Sequence, residues 1–239
     1  MVNVEELRAR ILYRDAMMLV IDKPAGLAVH AGNRSDHHLG QYLASLSFGL
    51  PNPPELAHRL DRDTSGCLIL GRHRQALRRL GALFAHGRIE KVYWAVVMGG
   101  PPGDAGVIDK PLAKIGPAWR WKVKVDESGQ PSVTAWRCMG RGSGLAWIEC
   151  RPKSGRTHQL RVHLASIGCP ILGDRTYGRT ADGEPQRPLH LHARAVTIPL
   201  YPNKPAVSVE APVPDHMRAA LRACGWPGES ARVSQAVAG

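Results

Sequence analysis

HRLDRDTSGCLIL, residues 58–70, sets a carboxylate, Asp61, between Arg59 and Arg62 and runs through Thr64-Ser65-Gly66 into the apolar stretch Cys67-Leu68-Ile69-Leu70. The apolar residues predict a buried strand and the polar residues before them a loop. Taken alone, an acid with arginine neighbours is what a solvated turn contains. Its surroundings decide whether it is more than that.

Upstream, Met17-Met18-Leu19-Val20-Ile21 predicts another buried strand, stopped by Asp22-Lys23-Pro24-Ala25-Gly26. A loop with Gly32 and Asn33 follows, then a short helix capped by Asp36 with Leu39, Leu43 and Leu46 on one side, before the Pro-rich segment from Pro51 forbids further helix. Downstream, residues 74–86 place Leu77, Leu80 and Phe84 on one helical face ahead of Gly87, and KVYWAVVMG from Lys91 is the next strand. Residues 101–132 are rich in Gly, Pro, Lys and Trp and predict an excursion bearing a hairpin. Strands are expected at Thr134–Arg137 and Leu145–Cys150, then a helix carrying Leu160, Leu164 and Ile167 with Gly168 past its end. PLHLHARAVTIPL (188–200) alternates Leu189, Leu191, Ala193 and Ala195 with His190, His192 and Arg194, the period of a strand buried on one face. AVSVEAP supplies another strand, and residues 214–224 a closing helix with Met217, Leu221 and Cys224 inward and Gly225 as its stop. Without a regular βαβ rhythm, these elements predict an α+β fold with a mixed, mainly antiparallel sheet. One domain over residues 1–225 and a flexible tail over 226–239 are the expected organisation.

The 239 residues, 44% hydrophobic and 22% charged, have the composition of an ordinary globular chain. No run approaches the roughly 18 apolar residues of a membrane span, and the N-terminus lacks an export signal, so a cytoplasmic protein is expected. Five dispersed cysteines without a CxxC pair read as reduced thiols. A net charge of +12 points to a polyanionic partner, above all nucleic acid. Eleven histidines invite a metal, but none has a third ligand at suitable spacing, and the nucleotide-binding glycine motifs are missing. Neither metal nor cofactor is therefore expected, and chemistry must come from side chains. A carboxylate such as Asp61, kept ionised by neighbouring arginines, could then act as nucleophile or base on a sugar.

Five segments in order resemble the RluA family of pseudouridine synthases: VIDKPAGLAVH (20–30), HRLDRDTSGCLIL (58–70), KVYWAVV (91–97), PKSGRTHQLRVHLASIGCPILGD (152–174) and LHLHA (189–193). The likeness covers roughly residues 11–215 and is similar to members without the S4 RNA-binding domain. It implies the pseudouridine synthase fold, a largely antiparallel central sheet with flanking helices and a basic cleft. It also implies an isomerase that converts uridine to pseudouridine in structured ribosomal or transfer RNA, acting as a monomer without metal, cofactor or membrane. On that resemblance Asp61 is the catalytic carboxylate, either attacking C1′ or removing the 2′ proton. Tyr93 stacks on uracil and serves the final proton removal at C5. Arg161 pairs with Asp61, with Arg156 as rival. Arg59 fills the space left by the flipped nucleotide, and Arg156 and Leu160 complete the substrate contacts. The excursion at 101–132 and the basic charge stand in for a separate RNA-binding domain. A non-catalytic RNA-binding or chaperone protein on the same fold is the alternative, and it has no need of Asp61, Tyr93 and Arg161 together.

Overall fold

The computed structural model describes residues 3–31, 37–117, 121–178 and 187–229. In chain order the elements are α1 (Val4–Ala9), β1 (Ile11–Arg14), β2 (Met18–Lys23), a 3₁₀ helix (Leu39–Leu46), β3 (Glu55–Leu56), β4 (Ser65–Gly71), α2 (Arg74–Ala85), β5 (Glu90–Met98), β6 (Ala105–Asp109), β7 (Leu112–Ile115), β8 (Lys122–Val125), β9 (Val133–Gly142), β10 (Leu145–Pro152), α3 (Gln159–Ser166), β11 (Leu191–Ile198), β12 (Val207–Glu210) and α4 (Asp215–Ala223). The class is α+β with a mostly antiparallel sheet, as the sequence predicts. The expected Asp36 cap lies outside the described residues. Helix α1 was not foreseen, although its signal is present: the Asn3 side chain accepts from the Glu6 amide and the Glu6 carboxylate from the Asn3 amide.

Chain contacts divide the protein into two compact units, and the described residues up to 91 with 193–212 and 229 form the first. Its strand order is β1-β2-β4-β11, with β3 on β4 and β12 on β11. Every residue of β2 and β4 is buried, which is why both read as continuous apolar runs rather than alternating ones. Their antiparallel register sets Asp22 opposite Cys67 and Lys23 opposite Gly66. Met18, Val20, Cys67, Ile69, Leu80, Val196 and Ile198 share one core cluster, where each large aliphatic side chain contributes about 1.5–3 kcal/mol by leaving water. Gly66 has φ +106, and a Cβ there would lie 2.3 Å from the Ala193 carbonyl oxygen. Only glycine lets the chain enter β4 this close to β11, which accounts for the Thr-Ser-Gly ending of the loop.

The second unit comprises residues 92–192 and 213–228. Its strands run in the order β5-β10-β9-β6, and β7 and β8 form a separate two-stranded hairpin, so the excursion does carry the predicted hairpin. Ala95, Val97, Ala146, Ile148, Leu160, Leu164, Ile171 and Leu189 make its main core. A second cluster gathers Val96, Trp147, Met217, Leu221, Cys224 and Trp226, with Trp94 in edge contact with Trp147 at 4.6 Å. Trp226, in the segment expected to be a tail, is thus buried, because α4 offers it an apolar face.

One expectation fails. The segment leading into β11 was to be buried on one face, yet His190 and His192 are as buried as Leu189, Leu191 and Ala193. Histidine tolerates this when neutral and hydrogen-bonded. The His190 Nδ1 lies 2.9 Å from the Pro188 carbonyl, and burial depresses its pKa.

Candidate active site

The loop that carries Asp61 is anchored on either side of it. Leu60, Thr64 and Ser65 are buried, whereas Asp61 is half-buried and Arg59 exposed. The Thr64 amide donates to the Asp61 carbonyl at 3.2 Å, closing a turn through the backbone. Arg62 pairs with its neighbour Asp63 at 3.0 Å, an exposed contact of little energetic weight. His58 ties the start of the loop to β4: its Nε2 accepts from the Ile69 amide at 3.0 Å, and its ring lies 4.8 Å from Phe84.

Burial, then the charge of Lys91, holds His58 down at about 3. An unfolded histidine takes up its proton near 6.5. Between those values the unfolded chain binds the extra proton, so His58 favours the folded state above pH 6.5 and that contribution is lost as pH falls toward 3. Discounted for its partial exposure, the loss at pH 4.5 is on the order of 1–2 kcal/mol. Urea midpoints at pH 7 and 4.5 should fall further apart in wild type than in His58→Gln. An equal fall in both would remove the assignment.

Lys23 lies in VIDKPAGLAVH, where a lysine followed by Pro24, Ala25 and Gly26 (a KPxG pattern) ends β2. It is fully buried, and its ammonium donates at 2.9 Å to the carbonyls of Pro24, Leu27 and Arg62. Three acceptors match the three N–H groups of a charged lysine. Burial pushes its pKa down to about 7 against the opposing pull of Asp63, Asp61 and Asp22. The Arg62 carbonyl also accepts from the Gly26 amide at 2.9 Å, so the KPxG turn holds the residue directly after Asp61 twice over. Lys23→Met keeps the volume and leaves carbonyls unpaired. It should cost about 2–3 kcal/mol of stability and lower kcat about tenfold through misplacement of the loop. An unchanged kcat in a folded variant would deny Lys23 a positioning role.

The second unit holds Tyr93, Arg156, Leu160 and Arg161. Tyr93 is half-buried on β5, opposite Cys150 of β10, and packs against the core cluster that contains Leu160. Leu160 itself is 6% exposed, a core residue of α3. Arg161 makes a bidentate pair with Asp174, both N···O distances being 2.8 Å, and its guanidinium carbon sits 5.0 Å from the centre of the Tyr177 ring. Burial alone would raise the Asp174 pKa. The bonds and charge of Arg161, with the Thr176 and Tyr177 amides, outweigh it and bring the pKa below the ordinary value. Arg156 is exposed, with its Nε 3.3 Å from the Pro131 carbonyl.

Gln159 and Asp174 are the residues of this block that sequence left without a role. Gln159 Oε1 accepts from the Ser154 hydroxyl and the Arg156 amide, while its Nε2 donates to the Val133 carbonyl and the Thr134 hydroxyl. It thereby fastens the SGRT loop to β9. His158 starts α3 in the left-handed region at φ 54, a costly backbone for a non-glycine residue.

Residues 17–166 match the family described as RNA pseudouridylate synthase. The chain belongs to the RluA family of RNA pseudouridine synthases. An uncharacterized RNA pseudouridine synthase of Zymomonas mobilis is 44% identical over 210 residues, covering 87% of this chain and 95% of its own. The ribosomal large subunit pseudouridine synthase C of Vibrio cholerae is 36% identical, over 92% of this chain and 70% of its own. Among solved structures, the human RNA pseudouridylate synthase domain containing 4 aligns with a TM-score of 0.77 at 28% identity, covering 92% of this synthase and 95% of the human chain. The synthase is thus an isomerase that converts uridine in RNA to pseudouridine. No helix among its described residues is long and apolar enough to cross a membrane.

Proposed function

We propose that the synthase modifies uridines of structured ribosomal or transfer RNA with Asp61 as its catalytic carboxylate. The observation that supports this reading is the loop itself: Leu60, Thr64 and Ser65 are buried, the Arg62 carbonyl is held by Lys23 and the Gly26 amide, and Asp61 between them is only half-buried. In the reaction the bond between C1′ and uracil N1 breaks, with Asp61 either attacking C1′ or taking the 2′ proton. The freed base turns, C5 bonds to C1′, and the C5 proton leaves. Tyr93 stacks on the base through these steps and serves the last proton transfer. Arg161 is the charge partner assigned to Asp61, because it is buried and orientated by Asp174, whereas Arg156 is exposed and better suited to phosphate. Arg59, also exposed, fills the position of the flipped nucleotide and offsets a few kcal/mol of unstacking. Leu160 contributes to the apolar wall behind Tyr93.

Ribosomal RNA is the first substrate to try, since the Vibrio cholerae relative is named for the large ribosomal subunit. The synthase is assigned to the cytoplasm as a monomer, which cell fractionation and gel filtration test. Activity is tested by tritium release from RNA labelled at uridine C5, drawn from cells lacking the synthase, because isomerisation must free that hydrogen. Release from the large-subunit RNA fraction supports the reading. A folded protein that binds this RNA and releases nothing from any fraction belongs to the non-catalytic alternative.

A further inference from the structure

Gln159 and His163 stand one helical turn apart on α3 and share a face of it, and the side chain of Thr134 on β9 bonds to both. All three residues are buried, and every polar side-chain atom they carry is bonded. Backbone groups at the two ends fix which way these bonds run. The Arg156 amide can only donate, so the Gln159 atom 3.0 Å from it is Oε1, and the Val133 carbonyl can only accept, so the atom 3.0 Å from it is Nε2. At the other end the Lys110 carbonyl, 3.0 Å from His163 Nε2, can only accept, so that nitrogen carries the ring proton.

Burial holds the His163 pKa below its ordinary value against the pull of the Lys110 carbonyl, while the charge of Lys110 lowers it further and that of Asp109 opposes. The ring is therefore neutral at pH 7, and Nδ1 is a bare acceptor. Between the two ends the Thr134 hydroxyl has one proton to place. It gives that proton to Nδ1 at 2.9 Å and turns its lone pairs to the second N–H of Gln159 at 3.1 Å. The bonds thus form a one-way relay from the Arg156 amide and the Ser154 hydroxyl, through Gln159 and Thr134, to His163 and the Lys110 carbonyl.

The far end of the relay is the SGRT loop, which docks along the start of β9. The Lys153 amide donates to the Val133 carbonyl at 2.9 Å, and Arg156 Nε lies 3.3 Å from the Pro131 carbonyl. An apolar side chain at position 163 would fill the core as well as an imidazole does. It would also free the Thr134 proton to point at Gln159, setting donor against donor, and an amide turned over to relieve that conflict would set its Nε2 against the Arg156 N–H. We infer that His163 is a positioning residue for the isomerisation: by accepting the Thr134 proton it holds the Gln159 amide one way round and so places Arg156 for its RNA phosphate. The inference rests on the phosphate role proposed above for Arg156, and its test separates the two.

Two measurements on the full chain make that test. Long-range ¹H–¹⁵N spectra of histidine-labelled protein at pH 7 should show His163 protonated at Nε2 and bare at Nδ1. The opposite tautomer or an imidazolium overturns the relay, whether or not any variant folds. C5 tritium release from large-subunit ribosomal RNA is the second measurement. Thr134→Val removes the hydroxyl at nearly equal volume and should raise KM about fivefold with kcat within about twofold, as for a contact made equally in ground and transition state. Thr134→Ser keeps the hydroxyl and should return KM to within about twofold of wild type. Arg156→Gln should raise KM by a similar factor, and adding Thr134→Val to it should change nothing further, because the relay then has no guanidinium left to place. KM factors that multiply in the double variant, or a Thr134→Val protein with the wild-type KM, overturn the inference. A KM unmoved by Arg156→Gln overturns it as well, by removing the phosphate role beneath it, and leaves the isomerase reading intact. Wild type that releases no tritium from any RNA fraction brings down the isomerase reading and the positioning role together.

Discussion

Asp61→Asn lowers kcat for C5 tritium release on the order of 10⁴-fold or more while RNA affinity changes by no more than about threefold. The substitution keeps the shape of the side chain and removes only its charge and its power to attack C1′ or take a proton. The loop has backbone anchors of its own. The turn is closed through the Asp61 carbonyl, the next residue is held at its own carbonyl by Lys23 and the Gly26 amide, and Leu60 and Thr64 are buried. The melting temperature should therefore stay within a few degrees of wild type, since a shape-conserving change at a half-buried residue changes stability by no more than about 1 kcal/mol. Single-turnover assays on saturating RNA isolate the chemical step. A rate for the Asp61→Asn variant within about tenfold of wild type would end the assignment of Asp61 to chemistry.

How far sequence alone leads is set by the range of the interactions involved. β2 and β4 were legible because a strand buried on both faces is a continuous apolar run, and α2 ended where Gly87 allows it, at φ +63. The approach to β11 misled because its histidines look polar in a pattern, although a neutral imidazole bonded to a carbonyl is at home in a core. The candidates Asp61, Tyr93 and Arg161 stand in ordered motifs that the sequence displays. The burial of Lys23 was not legible, because a lysine is ordinarily a surface residue, and the pocket that buries it is finished by a carbonyl 39 residues away. Asp174 escaped for the same reason: its pairing with Arg161 spans 13 residues and leaves no trace in local periodicity. His158 could not be suspected of a left-handed backbone from its residue type alone.

That hidden pair yields the second large effect. The Asp174 side chain is 0% exposed and that of Arg161 10%, so neither charge has water to fall back on. Asp174→Asn keeps an oxygen for the Thr176 and Tyr177 amides but turns an amide donor toward the guanidinium and leaves that charge unmatched. Stability measured by urea unfolding at pH 7 should drop by about 3–5 kcal/mol, the usual cost of removing one partner from a buried pair. Replacing both partners separates stability from chemistry. An Arg161→Met/Asp174→Leu protein no longer buries an unpaired charge and should recover to within about 2 kcal/mol of wild type, because buried ion pairs give way to apolar residues of similar volume at little cost. If Arg161 is the charge partner of Asp61, activity must stay lost in this refolded double variant, since no apolar pair can keep a carboxylate ionised away from water. Recovery of both stability and kcat would reduce Arg161 to a structural strut and pass the Asp61 partnership to Arg156.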